Sequence, residues 1–246
     1  RPNGVPTDED FQTESLVEMT EYLADNYFRL PNYLTVDGRP VFVIWDTARV
    51  VEANGGAEGF KAAVAEMNKA LHARGMKDIY LIAMHDRGSN AANGFDAMTG
   101  YGYYGTDYVS KYEWRGGFSI PYEESVAHYE STWRGITSSP GLPYLLPIGT
   151  NWDSRPRHGD GAAVIRDKTP EKFRGHCEAS LKYIDKRLNM AIIEAWNEWG
   201  EGSFLEPDKQ FGFGFLDAVR STYSRAPAEH VDYVPSADRI AAYSVL

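Results

Sequence analysis

The sequence predicts an α/β fold of the (β/α)8, or TIM-barrel, type, of which this chain carries about the last five strands. Three observations predict this fold class. Short, continuous apolar runs indicate strands that are covered on both faces, as in a parallel sheet. Apolar residues at helical spacing fill most of the segments between those runs. Polar and aromatic side chains follow the ends of the runs, which is where a barrel of this type builds its site.

Five segments have the strand pattern. They are residues 40–46, 78–86, 95–104, 143–153 and 190–198, of which 95–104 is the least regular. The first comes after a turn predicted at Asp37-Gly38. Four of the segments end on residues that can bind or react with a ligand, namely Trp45-Asp46, His85-Asp86, Trp152-Asp153 and Glu198.

Five helices are predicted from apolar residues that recur every three or four positions. They cover about residues 14–28, 60–71, 122–133, 173–188 and 211–223. The fourth has a clear start, with Thr169 as the N-cap and Pro170 at the first helical position. Cys177 lies on the apolar stripe of that helix, so we expect a buried structural thiol rather than a nucleophile.

A barrel fits these elements better than an open sheet does. A doubly wound sheet also places its ligand at the strand ends, but the sequence contains no glycine-rich phosphate loop. Five strands alone would leave two unpaired edges, which natural sheets avoid. Residues 87–94, between the second and third strands, are too few for a full helix. We therefore expect residues 1–246 to form a single barrel domain whose first strands, about three, lie in a preceding segment.

Composition and charge exclude several classes of partner. The chain has 25 Lys and Arg against 35 Asp and Glu, a net charge of −10, so neither nucleic acid nor an anionic membrane is an expected partner. The single cysteine excludes an internal disulfide and a cysteine-based metal site. No apolar run approaches the roughly 20 residues that span a bilayer, and no signal peptide is recognised. Because the chain begins with Arg1, we expect a trimmed product whose original address is lost. The localisation is left open, with the periplasm or the cell exterior favoured over the cytoplasm.

The main cluster of reactive residues lies between positions 190 and 208, where an apolar start leads into carboxylates and tryptophans. Aromatic rings cover the apolar faces of sugars, while carboxylates accept hydroxyl hydrogen bonds and move protons. If residues 190–198 form a strand, every second residue from Ile192 to Glu198 shares one face, and Glu201 can curl back to the same space. Glu198 and Glu201 are therefore the candidate catalytic pair.

A structural alternative is that these two acids cap a following helix or stay solvated. Trp196 and Trp199 argue against a solvated run of charges. The distance between the carboxyl groups would distinguish two chemistries, since about 5–5.5 Å suits retaining hydrolysis and about 6.5–9.5 Å suits inversion. The sequence leaves that distance open.

Other candidate residues have both a binding and a structural interpretation. Trp152 and Asp153 line a sugar pocket or pack in the interior. Arg155 and Arg157 could bind an anionic substituent of the substrate. A salt bridge to a local carboxylate is the favoured interpretation. The remaining predicted sugar-binding residues are Trp45, His85, Tyr101, Tyr103, Trp196, Asn197 and Trp199, with Asp86 and Tyr104 beside them.

Neither a metal ion nor another cofactor is expected. No further His or acid accompanies His85 and Asp86 at ligand spacing, so no metal site is predicted. No other cofactor is expected either. The tyrosines at 101–104 form a sugar platform or belong to the core, and Glu206 is expected to fix its loop.

The segment 195–208, Ala-Trp-Asn-Glu-Trp-Gly-Glu-Gly-Ser-Phe-Leu-Glu-Pro-Asp, resembles the signature of WbsX-like proteins, which are related to glycoside hydrolase family 99. Similar segments are Tyr-Phe-Arg-Leu-Pro-Asn-Tyr-Leu at 27–34, Asp-Gly-Arg-Pro-Val-Phe at 37–42 and Asn-Trp-Asp-Ser-Arg-Pro-Arg at 151–157. Residues 169–173 and 212–220 fit as well. The resemblance covers the chain from about residue 27 to 220, in the order of the family.

The resemblance implies a catalytic (β/α)8 barrel with this motif on the last strand and with the first three strands before Arg1. It also implies roles for the two acids. Glu198 would deprotonate the 2-hydroxyl of the sugar, giving a 1,2-anhydro intermediate, and Glu201 would protonate the leaving oxygen. A general acid needs a raised pKa, which burial beside Trp199 could provide. Position 200 is glycine here, whereas the family 99 enzymes have a larger polar residue, so the adjacent subsite is expected to differ.

We therefore expect a metal-independent, retaining glycoside hydrolase that cleaves an α-linked, mannose-like bond in a polysaccharide or glycan. One alternative is a glycosyltransferase-type enzyme of polysaccharide assembly, since WbsX-like proteins have been so labelled; it would need a sugar-nucleotide donor. The other alternative is a non-catalytic sugar-binding barrel.

Overall fold

The computed structural model describes residues 7–84, 90–102, 113–114, 117–138, 141–227 and 236–238. Its main sheet has six strands in the order β1-β2-β3-β4-β7-β9. Their bounds are β1 Thr35–Val36, β2 Arg39–Ile44, β3 Tyr80–Met84, β4 Ala97–Thr99, β7 Tyr144–Gly149 and β9 Ala191–Glu194. The last five run parallel to one another. The sheet is curled as in half of a TIM-type barrel, which confirms the predicted fold class.

The five parallel strands are the five predicted from the sequence. β1 is an addition that pairs antiparallel with β2. The two are joined by the predicted Asp37-Gly38 turn, where both residues have positive φ, 54° and 77°. Most of the other differences are in length. The predicted strand at 190–198 is too long, because β9 ends at Glu194 and its pairing with β7 ends there too.

The end of β9 corrects one inference about the catalytic acids. Residues 197–198 form a separate short strand, β10 Asn197–Glu198, which pairs antiparallel with β11 Ser203–Phe204. Trp196 and Glu198 therefore do not continue the face of Ile192 by simple alternation. Glu194 is the acid that does so, since it lies two residues after Ile192 within one regular strand.

Eight helices are present in the described residues. They are α1 Thr13–Asn26, α2 Thr47–Ala53, α3 Ala57–His72, α4 Asn90–Asn93, α5 Tyr122–Ser138, α6 Arg155–His158, α7 Pro170–Ser180 and α8 Gly214–Tyr223. The five predicted helices correspond to α1, α3, α5, α7 and α8. No described helix combines the length and the apolar character that crossing a membrane requires.

The helix α7 begins as predicted and ends early. Thr169 accepts a hydrogen bond from the Lys172 N–H at 3.3 Å, and Pro170 follows as the first helical residue. The helix ends at Ser180 rather than near Leu188, because the chain turns at residues 181–183. Leu181, assigned to the buried stripe from spacing alone, is 52% exposed. Cys177 is fully buried, as expected for a structural thiol.

A second, smaller sheet was not predicted. It consists of β5 Glu113–Trp114, β6 Gly117–Pro121 and β8 Ala163–Arg166, in that order. At Gly117 an added Cβ would lie 2.0 Å from the Ala162 carbonyl oxygen, so only glycine allows this close approach. Asp153 forms a bridge with Val164 of β8, which fixes the segment that follows β7.

Alternating residues of the main sheet pack on two different sides. Leu81 and Ala83 of β3 belong to the large core between the sheet and the helices. Tyr80 and Ile82 face the other way, into a smaller apolar cluster on the concave side, with Val41 and Leu145. This concave side borders a cavity of about 590 Å³, and Val43 beside it is 37% exposed. The sheet is thus covered by helices on one side, while its other side carries a smaller buried cluster that borders the cavity.

Candidate active site

Side chains that follow four of the parallel strands meet at the carboxyl edge of the sheet. Trp45 follows β2, Tyr101 follows β4, Arg157 lies in α6 after β7, and Glu201 lies in the segment after β9. The rings of Trp45 and Tyr101 make an edge contact with centroids 4.9 Å apart. In turn, the Tyr101 hydroxyl donates a hydrogen bond to Glu201 Oε2 at 3.1 Å. This is the edge at which TIM-type barrels position their reactive groups.

The two predicted catalytic acids lie in one tight segment, residues 197–204, which we call the carboxylate loop. A 3-10 turn at Trp199–Glu201 separates β10 from β11. Gly202 ends this turn with φ of 65°, and an added Cβ there would lie 2.7 Å from Asp153 Cβ. The Glu201 carbonyl accepts a hydrogen bond from the Asp153 N–H at 2.6 Å. The loop is therefore held against the segment that follows β7.

Arg157 connects the two acids. Its Nη2 donates to Glu198 Oε1 at 2.9 Å, and its Nη1 donates to Glu201 Oε1. The Glu201 side chain is 14% exposed and that of Glu198 is 39% exposed. The guanidinium thus balances two carboxylates that would otherwise repel each other. Of the two interpretations of Arg157, the structure supports pairing with a local carboxylate.

Gly200 gives Arg157 the space for this contact. An added Cβ at position 200 would lie 3.2 Å from Arg157 Nε and 3.5 Å from Glu198 Oε1. A larger side chain in the same backbone conformation would press on the guanidinium. Gly200 was expected to alter the adjacent subsite. The space beside it is filled by the Arg157 side chain, which comes from α6.

A third acid at the site, Glu194, was not predicted as functional. It is the last residue of β9 and is 4% exposed. Its Oε2 accepts a hydrogen bond from the Gly102 N–H at 2.9 Å, and its Oε1 has no partner among the described residues. Burial raises the pKa of Glu194 to about 7, a rise to which the charges of Glu201 and Glu198 add. The available sequence signal was an acid inside an otherwise apolar strand run, which is unusual.

Tyr101 lies between the acids. Burial raises the pKa of its phenol, and the nearby charges of Glu194 and then Glu201 raise it further. The hydroxyl therefore keeps its proton at any pH near neutrality and acts as a donor to Glu201. The tyrosine cluster was expected either to belong to the core or to form a sugar platform. Tyr101 does something else, since its hydroxyl donates a hydrogen bond to the predicted catalytic acid Glu201.

The tryptophans of the motif differ in their contacts. Trp199 stacks on Phe204 with centroids 3.7 Å apart, and its Nε1 donates to Glu206 at 2.6 Å. This confirms that Glu206 fixes the loop. The Trp196 side chain is 54% exposed. Its backbone carbonyl accepts hydrogen bonds from the N–H groups of residues 205 and 206. Asn197 is exposed in β10.

The residues after β7 have mainly structural contacts. Trp152 is half-buried and packs against the large core. Asp153 accepts hydrogen bonds from the Arg155 side chain, which lowers the pKa of Asp153. A neighbour missed by the sequence analysis is Lys168, whose Nζ lies 4.1 Å from the Phe204 ring centroid, beneath the carboxylate loop. Burial lowers the pKa of Lys168 to about 8.

Some predicted site residues fall outside the described ranges. These are His85 and Tyr103, with their neighbours Asp86 and Tyr104. Within the ranges that the structure describes, no three His, Cys, Asp or Glu side chains are arranged to hold a metal ion.

Comparison with solved structures shows the fold. A protein named glycoside hydrolase-like protein matches with a TM-score of 0.60 and 17% identity, over 92% of this chain and 64% of its own. The family 99 endo-α-mannosidase of Bacteroides thetaiotaomicron, solved in complex with bis-tris-propane, matches with a TM-score of 0.53 and 16% identity, over 90% of this chain and 65% of its own.

Two curated relatives are similar in sequence, both named uncharacterized protein WxcX, from two strains of Xanthomonas campestris pv. campestris. One is 26% identical over 209 residues, which are 82% of this chain and 29% of the relative. The other is 33% identical over 100 residues, which are 38% of this chain and 14% of the relative. The chain therefore spans less than a third of the length of these relatives.

The family comparison covers most of the chain. The model of the family described as glycosyltransferase WbsX matches residues 4–219, a range that includes β2, the segment after β7 and the entire carboxylate loop. This confirms the resemblance inferred from the motifs at both ends of the chain. The chain belongs to the WbsX family.

Proposed function

We propose that this protein is a glycoside hydrolase that cleaves an α-linked, mannose-like bond in a polysaccharide or glycan. Glu198 acts as the base and Glu201 as the general acid. The observation that carries this proposal is the cluster of Glu198, Arg157, Glu201 and Tyr101 at the carboxyl edge of a barrel-type sheet. The fold likeness to a family 99 enzyme adds support at the level of architecture.

The chemistry needs two groups that move protons in opposite directions. Glu198 accepts the proton of the sugar 2-hydroxyl, and the freed oxygen attacks C1 to form a 1,2-anhydro sugar. Glu201 protonates the departing oxygen in the same step. Water then opens the anhydro ring at C1, so that the configuration is retained overall. This route uses carboxyl groups only and does not require a metal ion.

Arg157 sets a condition on that chemistry. A carboxyl group has to be neutral before it can donate a proton, and an ion pair with a guanidinium favours the charged form. We therefore propose that bound substrate takes over one of the two Arg157 contacts. The Arg157 side chain is 50% exposed, so substrate can reach the guanidinium that pairs with both acids.

The aromatic wall of the site suits a sugar. Trp45 is 56% exposed and is held at its edge by Tyr101. An exposed indole beside carboxylates provides an apolar face for a pyranose ring next to acceptors for its hydroxyls. Mannose and the α-linkage are taken from the resemblance to family 99, and they are the finer part of the proposal.

The test is hydrolysis by matched variants of the full chain. With α-linked mannosides and oligosaccharides as substrates, Glu201→Gln should lower kcat by about a thousandfold or more, since general acid–base groups contribute about 10²–10⁴-fold each. Glu198→Gln should cause a similar loss, with substrate binding within a few-fold for both variants. Glu66→Gln, the same change on the outer helix α3, should leave release of reducing sugar unchanged.

Three outcomes would contradict the proposal. An active Glu201→Gln variant would show that Glu201 is not the general acid. Inversion at the anomeric carbon, detected by NMR of the first product, would exclude the 1,2-anhydro route. Binding of glycans without release of reducing sugar by the unmodified protein would favour the sugar-binding alternative.

The description of the family favours one further candidate, a glycosyltransferase of polysaccharide assembly. That activity requires a sugar-nucleotide donor. Incubation with a panel of sugar nucleotides and an acceptor glycan, followed by detection of released nucleotide, separates it from hydrolysis.

A further inference from the structure

The contacts of Arg157 differ from those of its neighbour Arg155, although both belong to the short helix α6. Arg155 binds a single carboxylate with two nitrogens, since its Nε and Nη2 both donate to Asp153. Arg157 divides its two terminal nitrogens between different carboxylates, those of Glu198 and Glu201. A guanidinium binds a carboxylate most strongly when two parallel N–H groups meet both carboxylate oxygens. Arg157 therefore makes one bond to each acid and the paired arrangement with neither.

The Arg157 guanidinium is also accessible to a ligand. Its side chain is 50% exposed, whereas the Glu201 side chain that it contacts is 14% exposed. The glycine at position 200 keeps side-chain atoms away from it, because an added Cβ there would lie 3.2 Å from Arg157 Nε and 3.4 Å from Nη2. A half-exposed guanidinium without a paired carboxylate is suited to binding an anion.

The proposed reaction requires Arg157 to release one of the two acids. Glu201 has to be neutral in order to donate a proton, while Glu198 has to stay charged in order to accept one. The contact to be released is therefore the one between Arg157 Nη1 and Glu201 Oε1. The Tyr101 hydroxyl donates to the other oxygen of Glu201 and can hold that carboxyl in place after the release.

The ligand group that replaces Glu201 on Arg157 has to compete with a carboxylate. A sugar hydroxyl carries no charge, so exchanging Glu201 for a hydroxyl would lose the attraction between two opposite charges. A carboxylate on the substrate keeps that attraction and matches the planar guanidinium in shape. The exchange is therefore favoured for an acidic sugar and opposed for a neutral one.

We propose that the substrate of this site carries a sugar carboxylate, which binds Arg157 in place of Glu201. The proposal rests on the proposed function, in which Glu201 is the general acid. It makes Arg157 the residue that selects acidic sugars. It also connects selection to reaction, because a substrate that occupies the guanidinium leaves Glu201 free to be protonated.

The exchange couples binding of the substrate to uptake of one proton. In the free protein two ionised acids and one guanidinium give a net charge of −1. The substrate carboxylate brings this to −2, and one proton restores −1. The proton comes from water or a buffer acid and forms an O–H bond at Glu201 Oε1. The other change is that Arg157 Nη1 donates to the substrate carboxylate instead of to Glu201.

The groups that face Glu201 come from four segments. They are Tyr101 after β4, Arg157 in α6, Glu194 at the end of β9 and Glu198 in β10. Arg157 is the cation among them. Once the substrate holds Arg157, the uptake of a proton relieves the repulsion among the acids that remain.

The first test measures binding without turnover, by isothermal titration calorimetry of the full chain. The ligands are a non-hydrolysable α-linked thio-disaccharide of mannose and its two acidic forms, in which C6 of one ring or the other is a carboxylate. One acidic form should bind about tenfold more tightly than the neutral ligand, or better, since a hydrogen bond to a charged group contributes about 1.5–3 kcal/mol.

Variants of α6 assign this preference to one side chain. Arg157→Gln should bring the acidic and neutral ligands to within about twofold of each other. Arg157→Lys keeps the charge without the planar fork and should retain a preference of a few-fold. The matched control is Arg155→Gln, two positions away, which should keep the full preference because Arg155 is bound to Asp153.

The second test counts protons. Titrations at pH 7 in two buffers of different ionisation enthalpy should show uptake of about one proton with the acidic ligand and none with the neutral one. The dissociation constant of the acidic ligand should therefore rise with pH, by up to about tenfold per unit. In Glu201→Gln the proton uptake should disappear while the preference for the acidic ligand remains, because Arg157 still binds the carboxylate.

Four results would overturn the proposal. They are equal binding of the neutral and acidic ligands, a preference that survives Arg157→Gln, binding of the acidic ligand without proton uptake, and tighter binding of a 6-phosphate than of the carboxylate.

Failure of the proposed function has a different signature. An Arg157-dependent preference for the acidic ligand, without hydrolysis of any glycan, leaves the acidic-sugar site and removes the hydrolase. Hydrolysis of neutral α-mannosides as fast as of their acidic forms removes the acidic-sugar site alone.

Discussion

At the residue scale, two glycines of the carboxylate loop have different tasks. Gly202 adopts a left-handed φ of 65°, and an added Cβ would lie within 3.0 Å of the Asp153 backbone nitrogen and closer to Asp153 Cβ. Gly200 does not have a positive φ, and an added Cβ there would meet the guanidinium of Arg157. Gly202 therefore lets the carboxylate loop pack against Asp153, and Gly200 leaves space for the Arg157 side chain.

These roles predict opposite results for the same substitution. Gly202→Ala should cost roughly 2 kcal/mol or more of unfolding free energy, because both the φ value and the contact with Asp153 are unfavourable to a Cβ. It should also lower activity by displacing Glu201. Gly200→Ala should leave the free energy of unfolding within about 0.5 kcal/mol, since a surface side chain can move aside.

Denaturant unfolding of both variants measures these differences. Equal destabilisation by the two substitutions would show that Gly202 is not held against Asp153. A Gly200→Ala variant with altered KM and unchanged stability would locate Arg157 at the substrate.

At the element scale, α7 connects the second sheet to the last strand and carries much of the core behind the site. Its side chains Phe173, His176 and Cys177 are fully buried. His176 stacks on Trp133 of α5 with centroids 5.0 Å apart, and burial lowers the pKa of His176 to about 3. The imidazole is therefore a neutral packing group. The first turn of α7 lies close to Gly214, the start of α8.

The N-cap of α7 provides a test at this scale. Thr169→Ala removes the acceptor for the Lys172 N–H and should cost about 1 kcal/mol, while Thr169→Ser keeps the hydroxyl and should cost much less. The midpoint of urea unfolding measures both. Equal costs for the two variants would assign the effect to the lost methyl group instead of the cap.

At the scale of the whole molecule, the helices cover one side of the curled sheet, and the concave side borders a cavity. The cavity of about 590 Å³ is lined by Val41, Val43, Ile82, Leu145 and Ile192 of that side, and also by Ile184, Val219 and Tyr223, which pack against the large core. The chain also covers only 64% of the first structural neighbour. We propose that further strands of the same polypeptide, before residue 1, pair with the sheet and complete the barrel.

The measurement compares residues 1–246 with a longer polypeptide that also contains the proposed preceding strands. The shorter chain should bind the dye ANS and self-associate, because the apolar cavity of about 590 Å³ can take up the dye and Val43 beside it is 37% exposed. Val43→Lys should reduce both effects in the shorter chain. The longer polypeptide should do neither, and a monomeric shorter chain without dye binding would contradict the proposal.

Much of the fold was predictable because it depends on local patterns. Apolar runs located the five parallel strands, and helical spacing located five helices, since both patterns report burial directly. The small sheet of β5, β6 and β8 was not predictable, because its strands are short and one is fixed by a close approach to Ala162.

The sequence by itself determined the residue types of the site and the edge at which they lie, because parallel strands bring their carboxyl ends together. It named Trp45, Tyr101, Glu198 and Glu201. Only the tertiary structure showed that Arg157 bridges the two acids and that β9 ends at Glu194, leaving that acid buried beside Tyr101. These contacts join residues 41 to 100 positions apart. Spacing along a chain does not encode such distances, since they arise when separate strand ends meet.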